Sequence, residues 1–431
     1  MLLVNPLADA LNRELSNHSC LFDLLSRRGK SIFFPSKGIL GQSAEARSSA
    51  INATIGTAFE EDGSPLTLEC VEETLSLPPD SFLYAPSYGT PKLRDEWEKL
   101  LKVKNPGVKD KAFSKPVVTA ALTHGLSVAG YLFVDENDKV ILPDLYWDNY
   151  ELVFCEAYGA TVKQYETFTN DGFNLQALAQ RIKEGSTGKK IILLNFPNNP
   201  AGYTVTEREA DTLYQMLFKA AQAGNRLVVI IDDAYFGLVY EDGVIRESIF
   251  SQLADAHENI LAVKLDGPTK EDYVWGLRVG FITFACKGAT PAQLKALEDK
   301  AAGVVRGSIS NAPNISQSIL LKSFANPSYQ LQKQTKFEIL NRRYKKIRQI
   351  FVDHPEFKES FVPVPFNSGY FMCVRPLGVE AEAVRKELLT NFSTGVIVLS
   401  GLIRIAFSAV PYDRLEQMFT NIHAAVQKTR N

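Results

Sequence analysis

The chain has 431 residues, 45% of them apolar and 22% charged, close to the averages of folded globular proteins. That length exceeds what one hydrophobic core usually organises, so two domains, or a large one with a smaller lobe, are expected. A balance of 47 basic and 49 acidic residues leaves a net charge of −2 with no long run of one sign, which argues against nucleic acid as a partner.

The opening residues from Met1 are too short for a signal segment and are interrupted by Pro6 and Asp9. No apolar run approaches the roughly eighteen residues of a membrane span, so a cytoplasmic protein away from the membrane is expected. Cys20, Cys70, Cys155, Cys286 and Cys373 are odd in number and lack CxxC spacing. They speak against a disulfide framework and a zinc site, and most read as small core residues. Five histidines without HxxxH or HxH spacing weaken a metal site further.

From about residue 115 to 285, short apolar runs alternate with amphipathic stretches. Val140 to Leu142, Ile191 to Leu194, Leu227 to Ile231, Ile260 to Val263 and Val279 to Phe284 read as buried strands, because they are continuous and rich in β-branched residues. Thr204 to Ala223 carries Ala210, Leu213, Met216, Leu217 and Ala220 at helical spacing and stops near Gly224. Strands joined by crossover helices imply a parallel sheet. A long charged amphipathic stretch then runs from Tyr329 to Phe351, and the change of domain is placed inside it. Beyond it come strands at Gly369 to Val374, Gly395 to Leu399 and Leu402 to Phe407, and two helices. The last helix, Tyr412 to Lys428, has Leu415, Phe419, Ile422 and Val426 on one face.

In an open α/β sheet the chemistry gathers at the carboxyl ends of the strands. The run ending at Leu194 leads into Asn195-Phe196-Pro197-Asn198-Asn199-Pro200-Ala201-Gly202, which reads as a rigid turn presenting amides. The next run ends in Asp232-Asp233-Ala234-Tyr235. Either acid would serve as a helix N-cap, or as a carboxylate holding a proton on a ring nitrogen with Tyr235 aimed at the same ligand. The run after that leads to Asp266-Gly267-Pro268-Thr269-Lys270, with Arg278 eight residues on. Lysines are normally solvated, but desolvation and a neighbouring cation lower a lysine pKa from about 10.4 toward neutrality and favour a nucleophilic amine. Arg404, within Leu402-Ile403-Arg404-Ile405-Ala406-Phe407, would be buried at high cost without an anion. A structural acid would satisfy it, and so would a substrate carboxylate that matches its planar fork.

Asn, Asp-x-x-Tyr, Lys, Arg and a late Arg in this order resemble the fold-type I aminotransferases, the aspartate aminotransferase superfamily, over nearly the whole chain. Asn198-Asn199-Pro200-Ala201-Gly202 is similar to that family's N-P-T-G turn, with Ala201 in place of Thr, and Asp232-Asp233-Ala234-Tyr235 to its D-x-A-Y. Ile51-Asn52-Ala53-Thr54-Ile55-Gly56 resembles a segment whose glycine lies against substrate. Tyr84-Ala85-Pro86-Ser87-Tyr88-Gly89 resembles the one whose tyrosine reaches the neighbouring subunit's cofactor phosphate, and Arg306 with Ser310-Asn311 the one carrying an arginine for a side-chain carboxylate. Gly267 stands where the family commonly has a phosphate-binding serine, and Ala121 where it has a glycine.

The resemblance implies an α/β fold: a large domain with a mostly parallel seven-stranded sheet flanked by helices, and a smaller α/β domain built from both termini. The expected division is 1–65 for an N-terminal arm and part of the small domain, 66–339 for the cofactor domain and 340–431 for the rest. It implies a role in amino acid metabolism with pyridoxal 5'-phosphate as cofactor, carried by Lys270 as an imine, and a homodimer with shared sites. Asp232 would keep the pyridine nitrogen protonated, and Asn199 and Tyr235 would bond the ring oxygen. Arg278, Leu122 and Thr123, with Tyr84 from a second subunit, would hold the phosphate, and Trp147, favoured among the aromatics of Tyr146-Trp147-Asp148-Asn149-Tyr150, would stack on the ring. Gly56, Asn199 and Arg404 would meet the substrate's α-carboxylate end, and Arg306 a second carboxylate. Aromatic or broad-specificity transfer, and lyase or decarboxylase chemistry on the same fold, stay open. A non-enzymatic ligand sensor fits poorly, because neither an added DNA-binding segment nor a basic N-terminus is present.

Overall fold

The computed structural model describes residues 5–16, 25, 30–32, 38–73, 76–169 and 172–430, so Cys20 lies outside the described residues. Seven strands form the main sheet: β1 (Val117–Thr119), β2 (Lys139–Pro143), β3 (Thr161–Tyr165), β4 (Lys189–Asn195), β5 (Arg226–Asp232), β6 (Ile260–Asp266) and β7 (Gly280–Ala285). Their order is β1-β7-β6-β5-β4-β2-β3. All run parallel except β7, which is antiparallel to both of its neighbours.

The apolar runs are continuous because both faces of this sheet are covered. Ile192, Leu194, Val229 and Ile231 enter one core, while Ile191, Leu193, Val228 and Ile230 enter another on the opposite face. Helix α1 (Ala121–Phe133) packs against β7 and β6. Helix α2 (Glu207–Gln222) begins at a capping box made by Thr206 and Glu209 and buries Ala210, Leu213, Leu217 and Ala221. It starts three residues later than the sequence pattern suggests, because Thr204 and Val205 belong to the preceding extended segment. Helix α3 (Pro291–Ile309) packs on α1.

Helix α4 (Tyr329–Asp353) is one unbroken element of 25 residues, with Leu340, Tyr344 and Ile347 in a separate core. That core sits on a second, antiparallel sheet of β8 (Phe361–Pro363), β9 (Phe371–Pro376), β10 (Ile397–Leu399) and β11 (Leu402–Ala406), in the order β8-β9-β11-β10. Helices α5 (Ala381–Phe392) and α6 (Leu415–Arg430) cover it. Leu415, Phe419, Ile422 and Val426, the expected face of the last helix, are all in this core. The expected strand Gly395 to Leu399 is split: Thr394–Gly395 pairs in parallel with Ile51–Asn52, and only Ile397–Leu399 joins the four-stranded sheet. The N-terminal segment is thereby tied to the C-terminal lobe.

The Asn198–Gly202 turn joins the two sheets. Gly202 has φ +72, and its carbonyl accepts from the amides of Asn367 (2.9 Å) and Ser368 (3.0 Å). A Cβ at this glycine would stand 1.8 Å from the Phe371 carbonyl oxygen, which no side-chain rotation relieves. Gly202→Ala is therefore expected to lower the unfolding free energy by about 3 kcal/mol, through overpacking and the left-handed backbone. Urea titration measures it; a variant within experimental error of the parent would refute this account of the junction. Among the described residues, no helix is long and apolar enough to cross a membrane.

Candidate functional site

A cleft of about 450 Å³ opens at the carboxyl edge of the main sheet, against β9 and β11 of the second sheet. Gly56, Leu122, Thr123, Trp147, Asn199, Asp232, Tyr235, Lys270, Arg278 and Arg404 all line it. Ten residues spread over nearly 350 positions of sequence thus converge on one volume. Its size lies within the range typical of small-molecule and cofactor sites.

Asp232 is the last residue of β5 and is buried. Its Oδ1 accepts from the Ala234 amide (3.1 Å) and its Oδ2 from the Tyr150 hydroxyl (2.7 Å). No helix follows it, so the capping alternative does not apply; residues 234–237 form a turn. Burial pushes the carboxyl up to about 6, opposed by the bond from Tyr150 and the one from the Ala234 amide. Tyr150 was not singled out in the sequence, where it is one of several aromatics between Tyr146 and Phe154. Buried, with its phenol raised far above the ordinary range by burial and by Asp232, it stays a proton donor. Trp147 makes an edge contact to Tyr150 at 5.6 Å and lines the cleft, whereas Tyr146 does not and bonds instead to Glu151.

Lys270 follows β6 in a short helical turn, Pro268–Glu271. Its Nζ donates to the Gly56 carbonyl at 3.0 Å and lies 5.3 Å from the centre of the Tyr235 ring. Its own carbonyl accepts from the Tyr370 hydroxyl at 2.7 Å, which fixes the backbone that carries the amine. Burial, then Arg278, then Arg404 pull the amine down to about 8, with Asp232 acting in the opposite sense. The amine is therefore far easier to deprotonate than an ordinary lysine.

Arg278 precedes β7 in the left-handed region at φ +53, with Nη1 donating to the Trp275 carbonyl at 3.3 Å. Opposite it, helix α1 begins with Ala121 at φ +63, so alanine adopts the backbone form that favours the expected glycine. The first-turn amides, at Leu122 and Thr123 among others, have no intrahelical acceptor and suit an anion together with Arg278. Gly267 admits no replacement by serine without movement: a Cβ there would lie 2.9 Å from the Val279 carbonyl oxygen and 3.0 Å from the Gly280 Cα. Thr269, two residues on, lines the cleft, as does Thr123.

Arg404 sits on β11, whose neighbouring residues Ile403 and Ile405 point into the lobe core while Arg404 points to the cleft. It is buried, with Nη1 donating to Asn199 Oδ1 (3.3 Å), Nη2 to the Thr54 carbonyl (3.1 Å) and its centre 4.5 Å from the Phe371 ring. Nε finds no acceptor, and among the described residues no carboxylate pairs with the guanidinium. Asp148 acts on the guanidinium from beyond ion-pair distance, so the close structural ion pair that would explain its burial is not found among the described residues. Asn199 is held in turn by Asn195, whose Oδ1 accepts from the Asn199 amide (2.7 Å) and whose Nδ2 donates to the Asp232 carbonyl (2.8 Å).

Two expected residues lie elsewhere. Tyr84 is 91% exposed beside exposed Phe82 and Leu83, and Arg306 is exposed in the last turn of α3. His124 is satisfied locally: Nδ1 accepts from the Ala120 amide, and Nε2 meets Ser308 Oγ at 3.0 Å.

A deep acid, a depressed lysine, a helix start with open amides and an arginine with an unpartnered Nε on one cleft fit a phosphorylated pyridine aldehyde and an amino acid. The family comparison agrees: residues 59–422 match the model for aminotransferase class I and II, and the chain belongs to that family. It is a pyridoxal-phosphate-dependent transaminase. A probable aspartate/prephenate aminotransferase of Aquifex aeolicus is 28% identical over 249 residues, 57% of each chain. An aspartate aminotransferase of Bacillus subtilis is 26% identical over 369 residues, 80% of this chain and 84% of that one. The crystal structure of an aminotransferase from Anaerococcus prevotii superposes with a TM-score of 0.82 at 22% identity, over 95% of this chain and 100% of the other.

Replacing Tyr150 by Phe removes one of the two hydrogen bonds to the Asp232 carboxylate. The expected result is a loss of about 1–3 kcal/mol of stability and an upward move of the Asp232 titration from about 6. Carboxyl ¹³C NMR of the cofactor-free protein reads the midpoint, and an unmoved midpoint would show that the bond does not hold the acid.

Proposed function

We propose that the protein moves the amino group of an L-amino acid to a 2-oxo acid by a ping-pong sequence, with aspartate, glutamate and 2-oxoglutarate as its substrates. The observation that carries the reading is Arg404: a buried guanidinium whose Nε has no acceptor and which has no carboxylate within ion-pair distance among the described residues faces the same cleft as a lysine that burial and neighbouring cations pull down to about 8. A substrate α-carboxylate completes that charge.

Pyridoxal phosphate, when bound, supplies an electron sink for the negative charge left as the α-proton departs. Lys270 Nζ would hold the cofactor and, when free, would take that proton and return it as general base and acid. Asp232 would hold a proton on the pyridine nitrogen. Asn199 and Tyr235 would bond the ring oxygen, and Trp147 would stack on the ring. Arg278, Leu122, Thr123 and the partner's Tyr84 would hold the phosphate, while Gly56 and Arg404 would orient the substrate.

The proposed assembly is a cytoplasmic homodimer with shared sites, and the domain change lies within α4, near residue 340. The exposed Phe82, Leu83 and Tyr84 support a covered surface there, and the free thiols of Cys155, Cys286 and Cys373 suit a reducing compartment. The partner's Arg306 supplies the charge for a substrate's second carboxylate. A second reading, in which apolar or aromatic amino acids are also accepted, is favoured by Ile39, Leu40 and Ile55 on the cleft wall.

The decisive experiment is spectral. Visible absorbance should respond to amino acids, and borohydride reduction followed by peptide mapping should mark Lys270; a marked peptide lacking it overturns the reading. Against a panel of amino acids, Arg306→Gln should cut kcat/KM for aspartate and glutamate by about tenfold or more and leave that for phenylalanine nearly unchanged; equal losses would remove Arg306 from substrate recognition. The amine at Lys270 also sets a pH profile. The rate of cofactor attachment to the cofactor-free protein should rise with pH and level off above about 8. Removing a cation favours the protonated amine, so Arg278→Gln should move that profile to higher pH.

A further inference from the structure

Two acids stand side by side at the end of β5. Asp232 lines the cleft, and Asp233, on the opposite face as strand alternation requires, is buried away from it. Asp233 Oδ2 accepts from Ser248 Oγ at 2.6 Å and pairs with Lys264 Nζ. Lys264 lies in the middle of β6, is 0% exposed, and also reaches Asp266 Oδ2 at 3.4 Å. Asp266 Oδ1 accepts from Trp97 Nε1 at 3.1 Å, and the Phe236 ring centre is 5.0 Å from the ammonium. Beyond Trp97 stands Lys104, 4.6 Å from its ring centre and paired at 2.5 Å with Glu271, the residue after Lys270. Lys333 closes the set on Glu271 (2.7 Å) and Asp272 (2.8 Å).

A lysine in the centre of a sheet core is costly, and a buried ion pair seldom stabilises a fold more than apolar side chains of the same volume would. Stability alone therefore gives no reason for Lys264. Its position does. β5 and β6 are the strands that carry Asp232 and lead to Lys270, paired from Leu227↔Ile260 through Asp232↔Leu265. A second carboxylate one residue from Asp232 repels the charge on it, and Lys264 is the cation set against that second carboxylate.

We propose that Lys264 is a positioning residue of the active site: it neutralises Asp233 so that Asp232 keeps its charge for the pyridine nitrogen, and it ties the ends of β5 and β6 together. The inference rests on the reading of Asp232 given above. The titratable groups that act on Asp232 are Tyr150, Asp233, Tyr235 and Lys270; those that act on Lys264 are Asp233 and Asp266. Burial alone would favour a neutral amine at Lys264, and its two carboxylates outweigh it, so the amine stays above the ordinary lysine value.

The test uses the full chain, with and without pyridoxal phosphate, as wild type, Asp233→Asn, Lys264→Met and the double variant. Carboxyl ¹³C NMR of the cofactor-free forms follows Asp232, assigned by its absence in Asp232→Asn. Lys264→Met should raise the proton affinity of Asp232 about tenfold and weaken pyridoxal phosphate binding by a similar factor. Asp233→Asn should lower that proton affinity, and the double variant should return both quantities to near wild type. A double variant as impaired as Lys264→Met, or an Asp232 midpoint that ignores Asp233→Asn, overturns the proposal; the latter holds even if Lys264→Met fails to fold. Wild-type cofactor affinity in Asp232→Asn would instead overturn the assignment of Asp232 to the ring nitrogen, leaving the carboxylate titrations to judge Lys264 separately.

Discussion

The pairing of β5 with β6 is the constraint on which the site depends. In a parallel ladder the carboxyl ends of neighbouring strands open at one edge, so Asp232 and the turn bearing Lys270 arrive together. The reversed strand β7 extends the same logic. Because it runs against β6, its beginning lies at that edge, and Arg278 just before it reaches the cleft from the opposite chain direction. β1 again runs with the parallel set, so the start of α1 lands beside Arg278. Four strand ends thereby deliver an acid, an amine, a guanidinium and a set of open amides to one place.

Withdrawal from water then sets their chemistry. The same desolvation raises Asp232 to about 6 and lowers Lys270 to about 8, bringing two groups that ordinarily titrate more than six units apart to within about two. Named neighbours act on each: Tyr150 opposes the shift of Asp232 by supporting the carboxylate, and Arg278 and Arg404 add to that of Lys270 by disfavouring the ammonium. Neither arginine needs to touch the lysine to act on it, because charges interact over longer distances in a poorly solvated cleft.

Much of this was legible in the sequence because the central strands are covered on both faces and so appear as unbroken apolar runs. Val117–Thr119 is only three residues long, and Thr161–Tyr165 is an edge strand whose Thr-Val-Lys-Gln-Tyr alternates with polar residues; neither has a continuous run to find. The direction of β7 is invisible in Gly280–Ala285, since a buried strand is apolar whichever way it points. Among site residues, Asp232, Lys270 and Arg404 stood out as charges next to apolar runs. Tyr150 did not, being an aromatic among aromatics whose role lies in one hydroxyl. Lys264 left a signal that the run Ile260 to Leu265 conceals: a cation inside a strand buried on both sides, opposite a doubled acid.

The contacts of Arg404 reach past the lobe that carries it. Its guanidinium is presented by the four-stranded sheet, yet it donates to Asn199 on the turn of the seven-stranded one and to Thr54 near the N-terminal segment. Any carboxylate that takes up the remaining donor is held by a group to which three distant parts of the chain contribute. Such a ligand works as a keystone: the force that holds it in the cleft also draws together the pieces that form the cleft. Resistance to proteolysis or to local opening should therefore grow with occupancy at the seams between those pieces rather than in the interior of either sheet.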